Sequence, residues 1–286
     1  MAQAGQKIER LTQRRHLLSA GEQVLRQSLD ESFAPNSGEE PEAIYADAAP
    51  LERRRHFGQF FTPRPIATLM SRWVAEVCPT TVLDPAVGLG ILLRQLHEYC
   101  PDAHATGIDL DALILEFAER SPRTSKKCKI ELIKDDFLLW EDDRKYDAII
   151  ANPPYLRHHE LNYPPSVITR IGRRSNIQLS RLTNIYGLFL VEICRRLRPG
   201  GHAAVITPGE WLNTNFGLPL KSMLIERDLL RHLFYFSHAQ LPFDDALTTA
   251  AILLIHKPLD KQSHAASVHT HFIFGSSRFP VGGRRR

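Results

Sequence analysis

Three apolar runs in the first half of the chain each end on acidic residues at a turn: Thr81-Val-Leu-Asp84, His104-Ala-Thr-Gly-Ile-Asp109, and Lys129-Ile-Glu-Leu-Ile-Lys134 with Asp135-Asp136-Phe137 after it. After the first comes Pro85-Ala-Val-Gly88-Leu-Gly90 and then a helical pattern through Ile91, Leu92, Leu93 and Leu96. Strand, glycine turn, helix and strand in this order predict parallel βαβ units, which bring every strand's carboxyl end to one edge of the sheet. A single strand-end carboxylate is ordinarily a helix cap. Three in succession on one edge, the second about 20 residues beyond the glycine turn, are the arrangement of acceptors that a nucleoside needs. The turn has no G-K-[ST] and is not a strict G-x-G-x-x-G, so a P-loop is excluded.

A fourth run, Tyr146-Asp-Ala-Ile-Ile-Ala151, reads as a buried parallel strand and closes on Asn152-Pro153-Pro154-Tyr155. The Asn side chain offers a carbonyl acceptor, and the prolines stiffen the turn and remove two backbone donors. Rigid acceptors of this kind suit an amino group, and the Tyr adds a flat face on which a base can stack. Taken alone, the tetrapeptide is equally consistent with a proline-rich turn.

The rest of the chain supplies the frame. Residues 1–50 begin with a helical pattern (Ile8, Leu11, Leu17, Leu18, Val24, Leu25, Leu29) and a linker from Phe33 to Glu42, and read as an N-terminal extension with no visible chemistry. Residues 51–258 read as the catalytic domain, and the polar tail 259–286 is expected to be disordered. Thr62 before Pro63 fits an N-cap with Pro at the first helical position. Between Tyr155 and Leu182 the chain lacks clear periodicity and reads as a basic, aromatic-sprinkled loop, in which Arg157, Arg173 and Arg174 are candidates for phosphate contacts. Alternating helices and strands follow, and the last strands suggest a mainly parallel sheet with one antiparallel edge strand. The net charge of +4 is too mild to argue for nucleic acid by itself. Cys78, Cys100, Cys128 and Cys194 contain no C-x-x-C pair, so they read as reduced, mostly buried thiols and no metal is expected. With no apolar signal region and no membrane-length apolar run, the protein is expected to be cytoplasmic.

Taken together, Gly58-Gln-Phe-Phe-Thr-Pro63, Asp84-Pro-Ala-Val-Gly-Leu-Gly90, Asp109, Asp136-Phe137, Asn152 to Tyr155, Asn184-Ile-Tyr-Gly-Leu-Phe189, Leu197-Arg-Pro-Gly-Gly201 and the segment from Phe243 to Ile255 stand in a known order. From Phe57 to about Lys257 the chain resembles the S-adenosylmethionine-dependent DNA adenine-N6 methyltransferases of the TaqI-type γ class. The resemblance implies an α/β, Rossmann-like class I methyltransferase fold with a mainly parallel seven-stranded sheet and helices on both faces. It implies that Thr62, Asp84, Ala86, Gly88, Asp109, Asp136, Phe137 and Pro154 bind S-adenosylmethionine, Asp109 through the ribose and Asp136 through the adenine amino group. Asn152 and the Pro153 carbonyl would accept the two N6 hydrogens of a flipped-out adenine, with Tyr155 stacked on the base and Phe243 against it. Val87, Leu89 and Ile91 stand where the family usually has smaller residues. The segment after Lys257 is too short for the family's C-terminal target-recognition domain, so a separate specificity or restriction subunit is a candidate partner alongside DNA. Competing readings are a methyltransferase acting on protein glutamine or RNA through the same tetrapeptide, and a non-catalytic subunit that keeps the fold.

Overall fold

The structure, a computed structural model, describes residues 25–27, 30, 40–121, 129–156, 163–236, 249–259 and 267–273. The strand-forming runs become β1 (Thr81–Asp84), β2 (His104–Asp109), β3 (Lys129–Lys134), β4 (Tyr146–Ala151), β5 (Leu197–Pro208), β6 (Leu230–Phe236), β7 (Ala250–His256) and β8 (His269–Ile273). They form one sheet in the order β3-β2-β1-β4-β5-β7-β6-β8. Every pairing is parallel except the two made by β7, which is antiparallel to β5 and β6. The chain runs outward from β1 through β2 to β3 and then returns to β4 on the other side of β1. The strand order therefore reverses between β1 and β4, the position at which open α/β sheets bind ligands.

Side chains alternate across the strands, so Ile149 and Ala151 face one layer of helices while Ala148 and Ile150 face the other. The first layer contains α6 (Pro165–Ser175), α7 (Ile185–Arg196) and α8 (Leu218–Glu226); the second contains α3 (Arg64–Ala75) and α4 (Ile91–His97). Each fully buried Leu or Ile in these layers stabilises the fold by roughly 1.5–3 kcal/mol. A smaller cluster joins α1 (Pro41–Ala48) to α5 (Ala112–Arg120) through Ile44, Tyr45, Leu113, Ile114 and Phe117. The helix α2 (Leu51–Phe57) leads from α1 into the turn before α3.

Several expectations are corrected. The sheet has eight strands, and its antiparallel strand lies inside, between β5 and β6. The reason is legible in the run Ala250-Ala-Ile-Leu-Leu-Ile255, buried throughout, because only an interior strand covered on both faces accommodates such a run. Part of the tail expected to be disordered forms β8, paired in parallel with β6. The stretch read as a loop contains α6, whose Val167, Ile168 and Ile171 are buried. Pro165 there occupies a first helical position, where its missing N–H is no loss. Thr62 is not a cap: α3 begins at Arg64 with Pro63 before it. Among the cysteines, Cys194 is buried, whereas Cys78 is exposed.

Candidate active site

The carboxyl ends of β1, β2 and β4 open onto a cleft of about 870 Å³, counted to include its open mouth. Its floor is the turn Pro85–Leu89, its walls include Asp109, Asp136, Phe137 and Phe189, and residues 57–62 close one side. The glycine turn is drawn onto the second strand, for Gly88 N–H donates to Asp109 Oδ2 at 2.9 Å and Val87 N–H to the Ile108 carbonyl. Asp109 Oδ1 accepts from Asp111 N–H at 3.0 Å. Asp109 opens on the cleft at one edge but is otherwise enclosed, and this burial raises its carboxyl to about 6 against the pull of those N–H groups. Burial likewise raises Asp136, whose Oδ1 accepts from Leu138 N–H and whose Oδ2 accepts from the Tyr163 hydroxyl at 2.8 Å. The bulk of Val87 is accommodated by Gly107, where a Cβ would stand 2.8 Å from the Val87 Cγ2.

Asn152 projects from the end of β4 into the same cleft. Its Nδ2 donates to the Phe60 carbonyl at 2.7 Å and to Thr62 Oγ1 at 3.1 Å. A carbonyl only accepts, so the amide nitrogen must face Phe60 and the oxygen must point the other way. That Oδ1 is buried and has no hydrogen-bond partner among the described residues. An orphaned buried acceptor costs roughly 1–3 kcal/mol, and this one, unlike other unpartnered atoms such as Ser71 Oγ and Ser175 Oγ, belongs to a residue that lines the cleft. Beside it, Phe60 stacks on Tyr155 with ring centroids 5.0 Å apart and fixes the plane of that ring. Burial pushes the Tyr155 hydroxyl well above its ordinary range, so it stays protonated.

The expected residues are thus partly gathered. Thr62, Ala86, Gly88, Asp109, Asp136, Phe137, Asn152 and Pro154 line the cleft. Asp84 stands behind its wall: fully buried, it uses Oδ1 to accept from Ala86 N–H at 3.1 Å, and burial raises its carboxyl to about 8. Pro153 is buried under the turn. Arg173 and Arg174 are not brought to the cleft. They occupy the last turn of α6, about 12–13 Å of helix beyond Pro165, its first residue, which follows the Tyr163 that bonds Asp136. There the carbonyl of the C-cap residue Asn176 accepts from Arg227 Nη2 at 2.8 Å. Arg157 and Phe243 lie outside the described residues. Sequence reasoning missed Glu42, Gln59, Phe60, Tyr163 and Phe189 as parts of the lining. Of these, Gln59 and Phe60 were within reach, since they adjoin Thr62 in the same short segment. Among the described residues no group of acidic, His and Cys side chains has the geometry of a metal site.

A model of the Eco57I restriction-modification methylase family matches residues 95–243, just over half of the chain. The chain belongs to this family. Its cofactor is S-adenosylmethionine and its fold is that of the class I methyltransferases. The chain is similar to the type II methyltransferase M.AccI of Acinetobacter calcoaceticus, with 34% identity over 214 residues, or 74% of this chain and 39% of that protein. It thus spans well under half the length of that relative. A tRNA1(Val) (adenine(37)-N6)-methyltransferase of Vibrio cholerae is 34% identical over 148 residues, 50% of this chain and 58% of that protein. Among solved structures, a Listeria monocytogenes protein described as a class I S-adenosylmethionine-dependent methyltransferase matches with a TM-score of 0.60 and 19% identity, over 82% of this chain and 74% of that one. No helix among the described residues is long and apolar enough to cross a membrane.

Proposed function

We propose that this methylase transfers a methyl group from S-adenosylmethionine to the exocyclic N6 amine of an adenine in DNA, presented flipped out of the duplex. Asn152 carries the reading: a buried acceptor, oriented by Phe60 and Thr62 and left without a partner among the described residues, is what a primary amine needs. The cleft fits the cofactor on the same kind of observation. Asp109 keeps its carboxylate against the glycine turn with lone pairs to spare for two ribose hydroxyls, and Asp136 with Phe137 forms a polar and an aromatic wall for the adenine ring. Thr62, Ala86, Gly88 and Pro154 line the remainder, where the methionine portion would lie.

The cofactor supplies an electrophilic methyl group on a positively charged sulfur. The chain's own part is orientation. Asn152 Oδ1 and the Pro153 carbonyl accept the two N6 protons, which draws the nitrogen lone pair out of conjugation with the ring and aims it across the cleft. Because both acceptors are neutral, no ionised base touches the amine before it reacts, and its extra proton leaves afterwards. Tyr155, its plane set by Phe60, offers a stacking face for the base.

DNA is preferred over RNA as the substrate because the similarity to M.AccI extends over 74% of the chain, against 50% for the tRNA enzyme at equal identity. The name of the latter supports adenine N6 as the accepting atom. The test offers radiolabelled S-adenosylmethionine together with adenine-containing duplex DNA, tRNA and protein. Label is expected on adenine N6 of DNA; label on RNA or protein alone overturns the reading. Asn152→Ala is expected to lower the methylation rate by about 10²–10³-fold, as for loss of one transition-state contact, while calorimetry shows the cofactor Kd nearly unchanged.

A further inference from the structure

Asp111 joins three segments of the site. Its carboxylate receives Arg53 on both oxygens at 2.7 and 2.8 Å, Gln59 Nε2 on Oδ2 at 2.9 Å, and Leu113 N–H on Oδ1 at 3.1 Å as the N-cap of α5. Those donors fill the capacity of one carboxylate, so Asp111 has little left with which to hold a ligand. The Arg53 and Asp111 side chains are only 8% and 3% exposed, which makes the pair costly to break.

What the carboxylate holds is informative. On one side the Asp111 backbone N–H donates to Asp109 Oδ1, the carboxylate facing the cofactor's ribose. On the other, Gln59 immediately precedes Phe60, whose carbonyl orients the Asn152 amide. Gln59 is held further by Tyr45, whose hydroxyl lies 3.4 Å from Gln59 Oε1 and 3.4 Å from Arg53 Nε. A displacement of Asp109 therefore has a continuous polar route, through Asp111 and Gln59, to the residue that holds the acceptor.

We propose that Asp111, with Arg53 and Gln59 as its partners, is a positioning node that couples occupancy of the cofactor cleft at Asp109 to the orientation of the Asn152 amide. The inference rests on the methyl-transfer reading of the cleft, but not on which macromolecule is methylated. Arg53 is not a lining residue and reaches the cleft only through Asp111, whereas Gln59 lines the cleft and adjoins Phe60, so their variants divide differently between binding and rate.

The experiment follows the Asn152 side-chain amide by NMR, assigned by its loss in Asn152→Ala, as S-adenosylhomocysteine is added to the full chain. In the wild type the amide resonances shift on binding. In Gln59→Ala that response is lost at saturating S-adenosylhomocysteine, and the single-turnover rate at saturating cofactor falls about tenfold. Arg53→Gln raises that Kd about tenfold, and Arg53→Lys recovers part of the loss. A wild-type amide that ignores the ligand, an unchanged response in Gln59→Ala, or a wild-type Kd in Arg53→Gln overturns the node. Should Arg53→Gln fail to fold, the Gln59→Ala arm decides alone. An intact NMR response with no label on DNA overturns the substrate reading and leaves the node standing.

Discussion

At Gly58 the backbone takes a φ of +64°, and a Cβ there would stand 2.9 Å from Leu156 Cγ, 2.9 Å from Pro154 Cβ and 3.0 Å from Tyr155 N. The turn that carries Gln59 and Phe60 is therefore pressed directly on the Asn152–Tyr155 segment, with no space for a methyl group. Gly58→Ala pays twice, in left-handed strain and in displaced backbone, costing roughly 1–3 kcal/mol from overpacking. It is expected to lower the methylation rate at least about tenfold, and a rate within twofold of wild type would show that the contact is not needed. Asp109 provides a pH test. Its carboxyl is raised to about 6 by burial, so in the proposed ribose-binding role it must first lose a proton. Cofactor Kd is expected to be flat above neutral pH and to weaken roughly fivefold between pH 6 and 5. Asp109→Asn should bind weakly throughout and lack this step. For stability the sign is the opposite: the raised value favours the protonated fold, so this residue's contribution is fully present below the unfolded value near 3.8 and is lost as pH rises through about 6.

Among elements, α1 changes most in meaning between sequence and structure. As a stretch of sequence it is the end of an extension; in the fold it is a strap packed on α5 at the side of the cleft. Tyr45 is fully buried and meets Phe61 edge to face at 5.6 Å, while Glu42 lines the cleft and pairs with Arg94 of α4 at 2.7 Å. The side chains of this pair are 8% and 12% exposed, and Glu42→Ala leaves the Arg94 charge buried without its carboxylate. A loss of about 3–5 kcal/mol is expected from that uncompensated charge. Hydrogen exchange should register it first as faster opening of α1, before the sheet; uniform exchange across the chain would contradict a strap that opens separately. The local sequence offers little hint of the pairing, because Glu42 and Arg94 are 52 residues apart and only the fold brings them together.

For the whole molecule, the site depends on the half of the sheet from β3 to β4, whereas β8 lies at the opposite edge beyond β5, β7 and β6. Replacing residues 267–273 by a Gly/Ser segment would unpair the β6 edge and expose Tyr235 and Phe236 to other chains. Aggregation in light scattering is the expected result, with the cofactor Kd of the monomeric fraction within about twofold of wild type. A tenfold loss of affinity would mean that the two edges are mechanically linked.

Local chemistry by itself determined the strand-end carboxylates, the glycine turn, the buried run of β4 and the tetrapeptide after it, because alternation, turn residues and apolar runs act over a few residues. The fold class, and the gathering of strand ends on one edge of the sheet, followed from their order along the chain. Only the tertiary structure decided which way the Asn152 amide faces, since that depends on the Phe60 carbonyl, 92 residues away. It also turned Thr62 from a helix cap into a partner of that amide, withdrew Asp84 behind the wall, carried Arg173 and Arg174 away from the site, and made α1 part of it. These outcomes share one physical cause. Each is set by contacts between segments distant in sequence, where burial and the demand that polar groups be satisfied outweigh local preference.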